Sequence, residues 1–326
     1  MPDVRRIPVS TDSSGSPEGG NSAYLLADRG VLIDPGPPGE ETWRRLRDGV
    51  EDAGLALTDV EHVLVTHWHA DHTGAAPRLA SEAEATLAMH DRDAPLLGDY
   101  RAARQRRLDR DAETLARWGV PQDRTDPLVE FDSRSPLPDT VPVRELADGE
   151  TVEGVEVVHS PGHTAGHAAF VLDDEGFVGD AVLRTVTPNV GGGDTRQSDP
   201  LAAYRETLSR LDARVDTAHP GHGGAFDLSA RTAELRAHHR ERGVRVLDVL
   251  VSEEERGPLT PWDVATDLFG EMRGYHVKFG AGEAFAHLAH LEGNDVVERV
   301  GDDPLTFAVA GAVSDAQTAV ERAWEQ

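Results

Sequence analysis

The chain of 326 residues has no cysteine. That excludes disulfides, thiolate metal sites and a cysteine nucleophile. Any metal must be held by histidine and carboxylate. Lysine is almost missing too: Lys278 is the single one, so the positive charge is nearly all arginine. No apolar run approaches the roughly 18 residues that span a bilayer. No N-terminal stretch joins a charged start to a continuous apolar segment, as a signal peptide does. A soluble cytoplasmic protein is expected. Repeats and low-complexity tracts are also absent. The length suits one large domain or two.

What is abundant is acid. Against 32 basic residues stand 59 acidic ones, a formal net charge of −27. The excess is spread along the chain and not gathered in a tail. This reads as an acidic, halophilic surface, tolerable where salt screens self-repulsion. It argues against broad attraction to nucleic acid or anionic membranes.

The densest chemistry is in Thr66-His67-Trp68-His69-Ala70-Asp71-His72. The apolar run Val63-Leu64-Val65 before it reads as a buried strand, and a helix follows from about Gly74. Four metal-capable side chains therefore sit on a tight turn at a strand's C-terminal end. Imidazole nitrogen and carboxylate oxygen suit zinc, manganese or iron.

Before this motif, residues 11–20 are turn-rich and read as a surface loop. Ala23 to Leu26 and Val31 to Ile33 read as hairpin strands joined at Asp28-Arg29-Gly30. Asp34 is either a carboxylate supporting the metal ligands or a turn residue. Trp43, Leu46 and Val50 mark a helix over residues 40–53. After the motif come a helix near 75–84 and a strand at 86–89 that ends in His90, an exposed or core-edge residue. Residues 91–135 read as charged and helical. Their Arg101, Arg104, Arg106, Arg107 and Arg110 fit a solvated face with helix-spaced ion pairs better than a collar for an anionic substrate.

From Val143 to Val178 the pattern changes to strands: 155–158, 168–172 and 177–178. Ser160 to His167 lies between the first two, and Gly179-Asp180 follows the third. A Gly- and Asp-rich loop covers 184–199. A helix over 201–211 and a strand over 215–218 lead to His219-Pro220-Gly221-His222-Gly223. Four polar turns, each just after a strand, thus carry His or Asp. In a layered α/β protein such turns can gather at one sheet edge. The composition changes near residue 229. One long helix fits 229–251. Thr260-Pro261 supplies an N-cap and a first-turn proline. Phe285, Leu288 and Leu291 mark a further helix stopped by Gly293-Asn294. Val296-Val297 and Leu305 to Val309 read as a hairpin. The expected organisation is 1–228 and 229–326, the second a small helical, winged-helix-like domain.

Thr66 to His72 resembles the T-H-x-H-x-D-H signature of the metallo-β-lactamase superfamily. The resemblance extends through Pro161-Gly162-His163, Gly179-Asp180 and Pro220-Gly221-His222-Gly223, in the family's order. The tail, with His239-Arg240-Glu241-Arg242, is similar to the branch that includes β-lactamase-like protein 2 endoribonucleases and glyoxalase II-like hydrolases. The resemblance implies an αββα sandwich holding two zinc ions. His67, His69 and His163 would hold the first; Asp71, His72 and His222 the second; Asp180 would bridge them. His69 stands where an iron-binding flavoprotein branch has Glu, which favours zinc.

Such a centre implies a hydrolase using a metal-bridging hydroxide, with Asp71 and Asp180 balancing charge and orienting the nucleophile. The implied substrate is a small ester, thioester or lactone, as in hydroxyacylglutathione hydrolases. The alternative is single-stranded RNA, for which the arginines at 236, 240, 242 and 245 speak and the net charge speaks against. A noncatalytic binding protein on a hydrolase scaffold would be marked by missing ligands, and all seven positions are filled. The C-terminal region could pair two chains into a homodimer. Of the other histidines, His167 and His219 either hydrogen-bond to a ligand or are structural. His62 and His159 sit at strand ends and are not expected as ligands. His287 and His290, three apart on a helix, lack a third ligand and read as a helix face.

Overall fold

A computed structural model describes residues 3–10, 18–132, 137–311 and 316–325. Most of the loop expected at 11–20 lies outside the described residues, which omit 11–17. The chain divides into two compact units. The first comprises Met1–Arg104, Pro136–Pro188 and Glu206–Thr232. The second comprises Gln105–Ser135, Asn189–Arg205 and Ala233–Gln326. No helix among the described residues is long and apolar enough to cross a membrane.

The first unit is a layered α/β structure. One six-stranded sheet runs in chain order: β1 (Val4–Pro8), β2 (Ser22–Leu26), β3 (Val31–Ile33), β4 (His62–Val65), β5 (Thr86–His90) and β6 (Arg144–Leu146). β1 to β3 are antiparallel, and β3 to β6 are parallel. The second sheet holds β7 (Thr151–Val152), β8 (Val155–His159), β9 (Ala168–Leu172), β10 (Glu175–Gly179), β11 (Thr217–Pro220) and β12 (Phe226–Asp227). Only β10 and β11 are parallel neighbours. β8 is antiparallel to β9, and β9 to β10, so β8, β10 and β11 all end at one edge.

Alternation along the strands makes the layers, because successive side chains point to opposite faces. Tyr24, Leu26, Val31, Ile33 and Leu64 turn inward onto Val157, Phe170 and Phe177 of the second sheet. Ala23, Leu25, Leu32, Val63 and Val65 turn outward. They meet Trp43, Leu46 and Val50 of α1 (Glu40–Asp52). A short α2 (Ala70–Thr73) follows β4, and α3 (Ala76–Ala83) adds Ala76, Leu79 and Ala83 to that layer.

Some boundaries differ from the sequence reading. β1 lies before the first expected strand: its buried Ile7 stands among Arg5, Arg6 and Pro8, too brief an alternation to mark a strand. The strand expected at 215–218 is β11, two residues later, because Thr217 to Pro220 is the stretch in register with β10. Residues 91–132 hold α4 (Pro95–Gly98), α5 (Tyr100–Arg117) and α6 (Gln122–Asp132). Further on are α7 (Pro200–Asp212) and α8 (Leu228–Ser252).

The second unit packs around α9 (Pro261–Phe269) and α10 (Tyr275–Gly293), with the hairpin β13 (Val297–Asp302) and β14 (Leu305–Val309), and α11 (Ala316–Glu325). Thr260 caps α9 in a capping box with Asp263. Such a cap satisfies amide donors that a helix N-terminus leaves over. The core includes Trp118, Val246, Leu250, Val264, Ala281, Leu288, Phe307 and Val320. α11 follows the last element expected from the sequence.

Candidate metal centre

Each of the four polar turns leaves a strand at the same end of the first unit. β4 delivers His67, His69, Asp71 and His72; β8 leads to His163; β10 to Asp180; β11 to His222. The seven side chains meet. His69 Nδ1 lies 2.9 Å from His67 Nε2 and 3.1 Å from His163 Nε2. His222 Nε2 lies 3.3 Å from Asp71 Oδ2, and His72 Nε2 lies 3.6 Å from the same oxygen. Asp180 stands between the clusters, with its oxygens 3.9 Å from His163 Nε2, 3.5 Å from His72 Nε2 and 3.6 Å from His222 Nε2.

Two glycines allow this approach. At Gly221 a Cβ would lie 2.4 Å from His72 Cε1 and 2.5 Å from Asp180 Oδ1. At Gly179, with φ +49°, a Cβ would lie 2.6 Å from Thr66 Oγ1. No side chain fits either position without displacing the site.

The donor set fits a divalent cation. His67 Nε2, His69 Nδ1 and His163 Nε2 converge, yet neutral imidazoles cannot all donate to one another. His72 Nε2 and Asp180 Oδ1 are buried without a hydrogen bond among the described residues, a costly arrangement for polar atoms. Three groups of side chains lie close enough to share an ion: His67, His69 and His163; His67, His72 and Asp180; Asp71, His72 and His222.

Charge separates the two clusters. Burial and the neighbouring imidazoles hold His67 well below the ordinary histidine range. Burial and then His163 push His69 down to about 3. These rings are neutral near pH 7. Burial opposes the proton on His72 and His222, but the carboxylates outweigh it. Asp71, Asp180 and Asp34 hold His72 well above its usual value, and Asp180 and Asp71 raise His222 to about 10. Burial also opposes ionisation of Asp71 and Asp180, but the surrounding histidines keep both carboxyls below the normal range. A metal entering beside the carboxylates must displace protons.

Asp34, open from sequence to two readings, supports the cluster. Its Oδ1 accepts the Thr66 N–H at 2.8 Å, and its Oδ2 accepts Thr66 Oγ1–H at 2.8 Å. His72 Nδ1 lies 2.9 Å from Oδ2. Donation there would leave His72 Nε2 to present its lone pair to a metal once the ring's second proton is displaced. Asn21, not singled out from sequence, donates from Nδ2 to Asp71 Oδ2 and to the Asp71 carbonyl, both at 3.1 Å. A lone Asn before a strand gives no sequence signal for that role.

The remaining histidines do other things. His167 is buried and stacks on His67, with centroids 5.1 Å apart. His219 contacts Glu175 at 2.5 Å and stacks on Phe177. His159 Nε2 lies 2.9 Å from the Ala165 carbonyl, and His90 stacks on His159. His62 lies 3.5 Å from Glu153. In the second unit, His287 and His290 belong to none of the groups among the described residues that could hold an ion. The arginines read as a possible collar diverge: Arg101 is exposed and pairs with Asp139, whereas Arg107 is buried against Asp111.

Residues 16–222 match the model of the metallo-beta-lactamase superfamily. The chain belongs to that superfamily. It is similar to the probable metallo-hydrolase YqjP of Bacillus subtilis, 28% identical over 84% of this chain and 88% of that protein. It is also similar to an atrochrysone carboxyl ACP thioesterase of Claviceps purpurea, 25% identical over 83% of this chain and 73% of that one. Among solved structures, the superfamily protein TTHA1429 from Thermus thermophilus is 28% identical, with a TM-score of 0.73, covering 95% of this chain and 99% of its own. A beta-lactamase domain protein from Burkholderia ambifaria gives a TM-score of 0.74 at 28% identity, covering 95% of this chain and 93% of that one. Superfamily membership and the histidine–aspartate constellation make this chain a metal-dependent hydrolase of the layered α/β class.

Proposed function

We propose that the chain is a dinuclear zinc hydrolase acting on a small ester, thioester or lactone. The observation that carries this reading is Asp180, a single carboxylate within 4 Å of histidines from both clusters. His67, His69 and His163 would hold one zinc, Asp71, His72 and His222 the other, and Asp180 would touch both. Bound there, zinc supplies Lewis acidity toward a carbonyl oxygen and lowers the pKa of coordinated water toward about 7.

The chain's own groups do the rest. Asp34 fixes the His72 ring through Nδ1, and Thr66 steadies Asp34. Asn21 holds the Asp71 carboxylate in place. Asp71 and Asp180 stay ionised, so they balance cationic charge and can orient a water molecule by accepting its proton in a hydrogen bond.

The acyl substrate class is preferred over RNA for two reasons. The net charge of −27 repels a polyanion. Two of the arginines counted for RNA are already engaged inside the second unit. Arg242 pairs with Glu283 at 2.8 Å and lies over the Phe269 ring, and Arg245 reaches the Leu268 carbonyl. The similarity to a fungal thioesterase points the same way.

The test is metal analysis followed by parallel assays on thioester, lactone and single-stranded RNA panels at low and molar salt. The expected result is about two zinc per chain and turnover of an acyl substrate. Turnover of RNA alone, or full activity after metal removal, would sink the reading.

A further inference from the structure

One fully buried carboxylate near the centre is not among the seven. Asp93 lies just after β5. Its Oδ2 accepts the Thr164 Oγ1–H at 2.8 Å and the Trp68 N–H at 3.3 Å. Trp68 stands between His67 and His69, and Thr164 follows His163. The carboxylate therefore ties together the two turns that bring the three-histidine cluster together. One turn leaves the first sheet after β4, and the other leaves the second sheet after β8.

The arrangement is closely fitted. The Asp93 N–H bonds to the His90 carbonyl at 2.9 Å, which fixes the carboxylate to the end of β5. At Gly166 a Cβ would lie 2.5 Å from both Asp93 N and Oδ1. The glycine in the second turn thus makes room for the acid. A backbone bond from Ala168 N to the Thr66 carbonyl, 2.9 Å, joins the same two segments one residue before His67. Asp93 adds a second tie, beside His69 and His163.

We propose that Asp93 is a positioning residue that sets the separation of His67 and His69 from His163, and through it the metal affinity of that cluster. The inference rests on the ligand assignment proposed above. Two hydrogen bonds from separate turns to one carboxyl oxygen let Asp93 resist the two turns drifting apart. Partners that orient metal ligands typically alter metal affinity about 10–100-fold when removed.

The experiment uses the full chain loaded with zinc and titrated against a coloured chelator, with thermal unfolding of the metal-free protein alongside. Wild type, Asp93→Asn, Thr164→Val and Thr164→Ser are compared. Asp93→Asn and Thr164→Val should each release one zinc equivalent at about 10–100-fold weaker affinity. Thr164→Ser keeps the hydroxyl and should hold zinc as wild type does. The metal-free unfolding midpoint of Thr164→Val should move little. Should Asp93→Asn fail to fold, the two threonine variants still decide. Wild-type zinc affinity in Thr164→Val overturns the inference, as does equal weakening in Thr164→Ser. A wild-type protein that takes up no zinc overturns the ligand assignment and this inference together; bound zinc with unchanged variants overturns the inference alone.

Discussion

The Asp34 carboxylate sits 2.9 Å from His72 Nδ1 and takes two further hydrogen bonds from Thr66. One buried acid thereby sets the backbone from which the metal-capable turn begins and the orientation of a ring within it. Replacing Asp34 by Asn offers an amide that can accept at one atom only. Asp34→Asn should lower zinc affinity or kcat/KM by about 10–100-fold while the far-ultraviolet circular dichroism stays native. Chelator competition and initial rates measure it. Wild-type values for both would show that the hydrogen bonds are incidental to the site.

Lys278 gives a second prediction. The chain's one lysine places its ammonium 2.7 Å from Asp111 Oδ2, and Arg107 Nη1 lies 3.2 Å from the same oxygen. Thr195 Oγ1–H donates to Asp111 Oδ1 at 2.7 Å. All four belong to the second unit. Removing the acid leaves buried cations facing a neutral side chain. Asp111→Asn should therefore cost about 3–5 kcal/mol of unfolding free energy. Lys278→Met leaves Asp111 with Arg107 and Thr195 and should cost less, about 1–3 kcal/mol. Urea denaturation of the two variants gives the order; the reverse order would show that the lysine, not the aspartate, is the centre of the cluster.

Acid should weaken the second unit through its histidines. Burial pushes His287 down to about 3 and His290 to about 4, and burial with His287 nearby holds His239 well below normal. In the unfolded chain each takes up a proton near pH 6.5. Between about pH 6.5 and 4 the unfolded state thus binds more protons, and stability falls as pH falls. The stabilising contribution is complete above about pH 6.5. Each histidine adds up to about 1.4 kcal/mol per pH unit to the slope. Denaturation midpoints from pH 8 to 5 should decline, and His287→Gln should flatten the decline by about one proton. An unchanged slope in that variant would assign the acid sensitivity elsewhere.

Much of the site was legible because its donors are encoded in short segments at strand ends. Val63-Leu64-Val65 announces β4, and the histidines after it have nowhere to go but the sheet edge. The cap at Thr260 and the stop at Asn294 were equally plain, since both depend on local backbone chemistry. What escaped is non-local. Asp93 lies 71 residues from Thr164 in sequence, and Asn21 lies 50 from Asp71. No spacing rule links such pairs; only the folded sheets bring them together. The role of Asp34 stayed open for the same reason. β1 escaped because an edge strand with one buried side chain has little periodicity to read.

The way the two sheets use the chain has a consequence for synthesis. The first sheet closes with β6 at Leu146, and the second draws on later residues only. A ribosome that has released the first 150 residues has therefore delivered His67, His69, Asp71 and His72 without His163, Asp180 or His222. The nascent half carries a cluster of strong metal donors that its missing partners have not yet fenced in. The full set exists only once His222 has emerged, so the centre is completed late, with only β12 of the two sheets still to come.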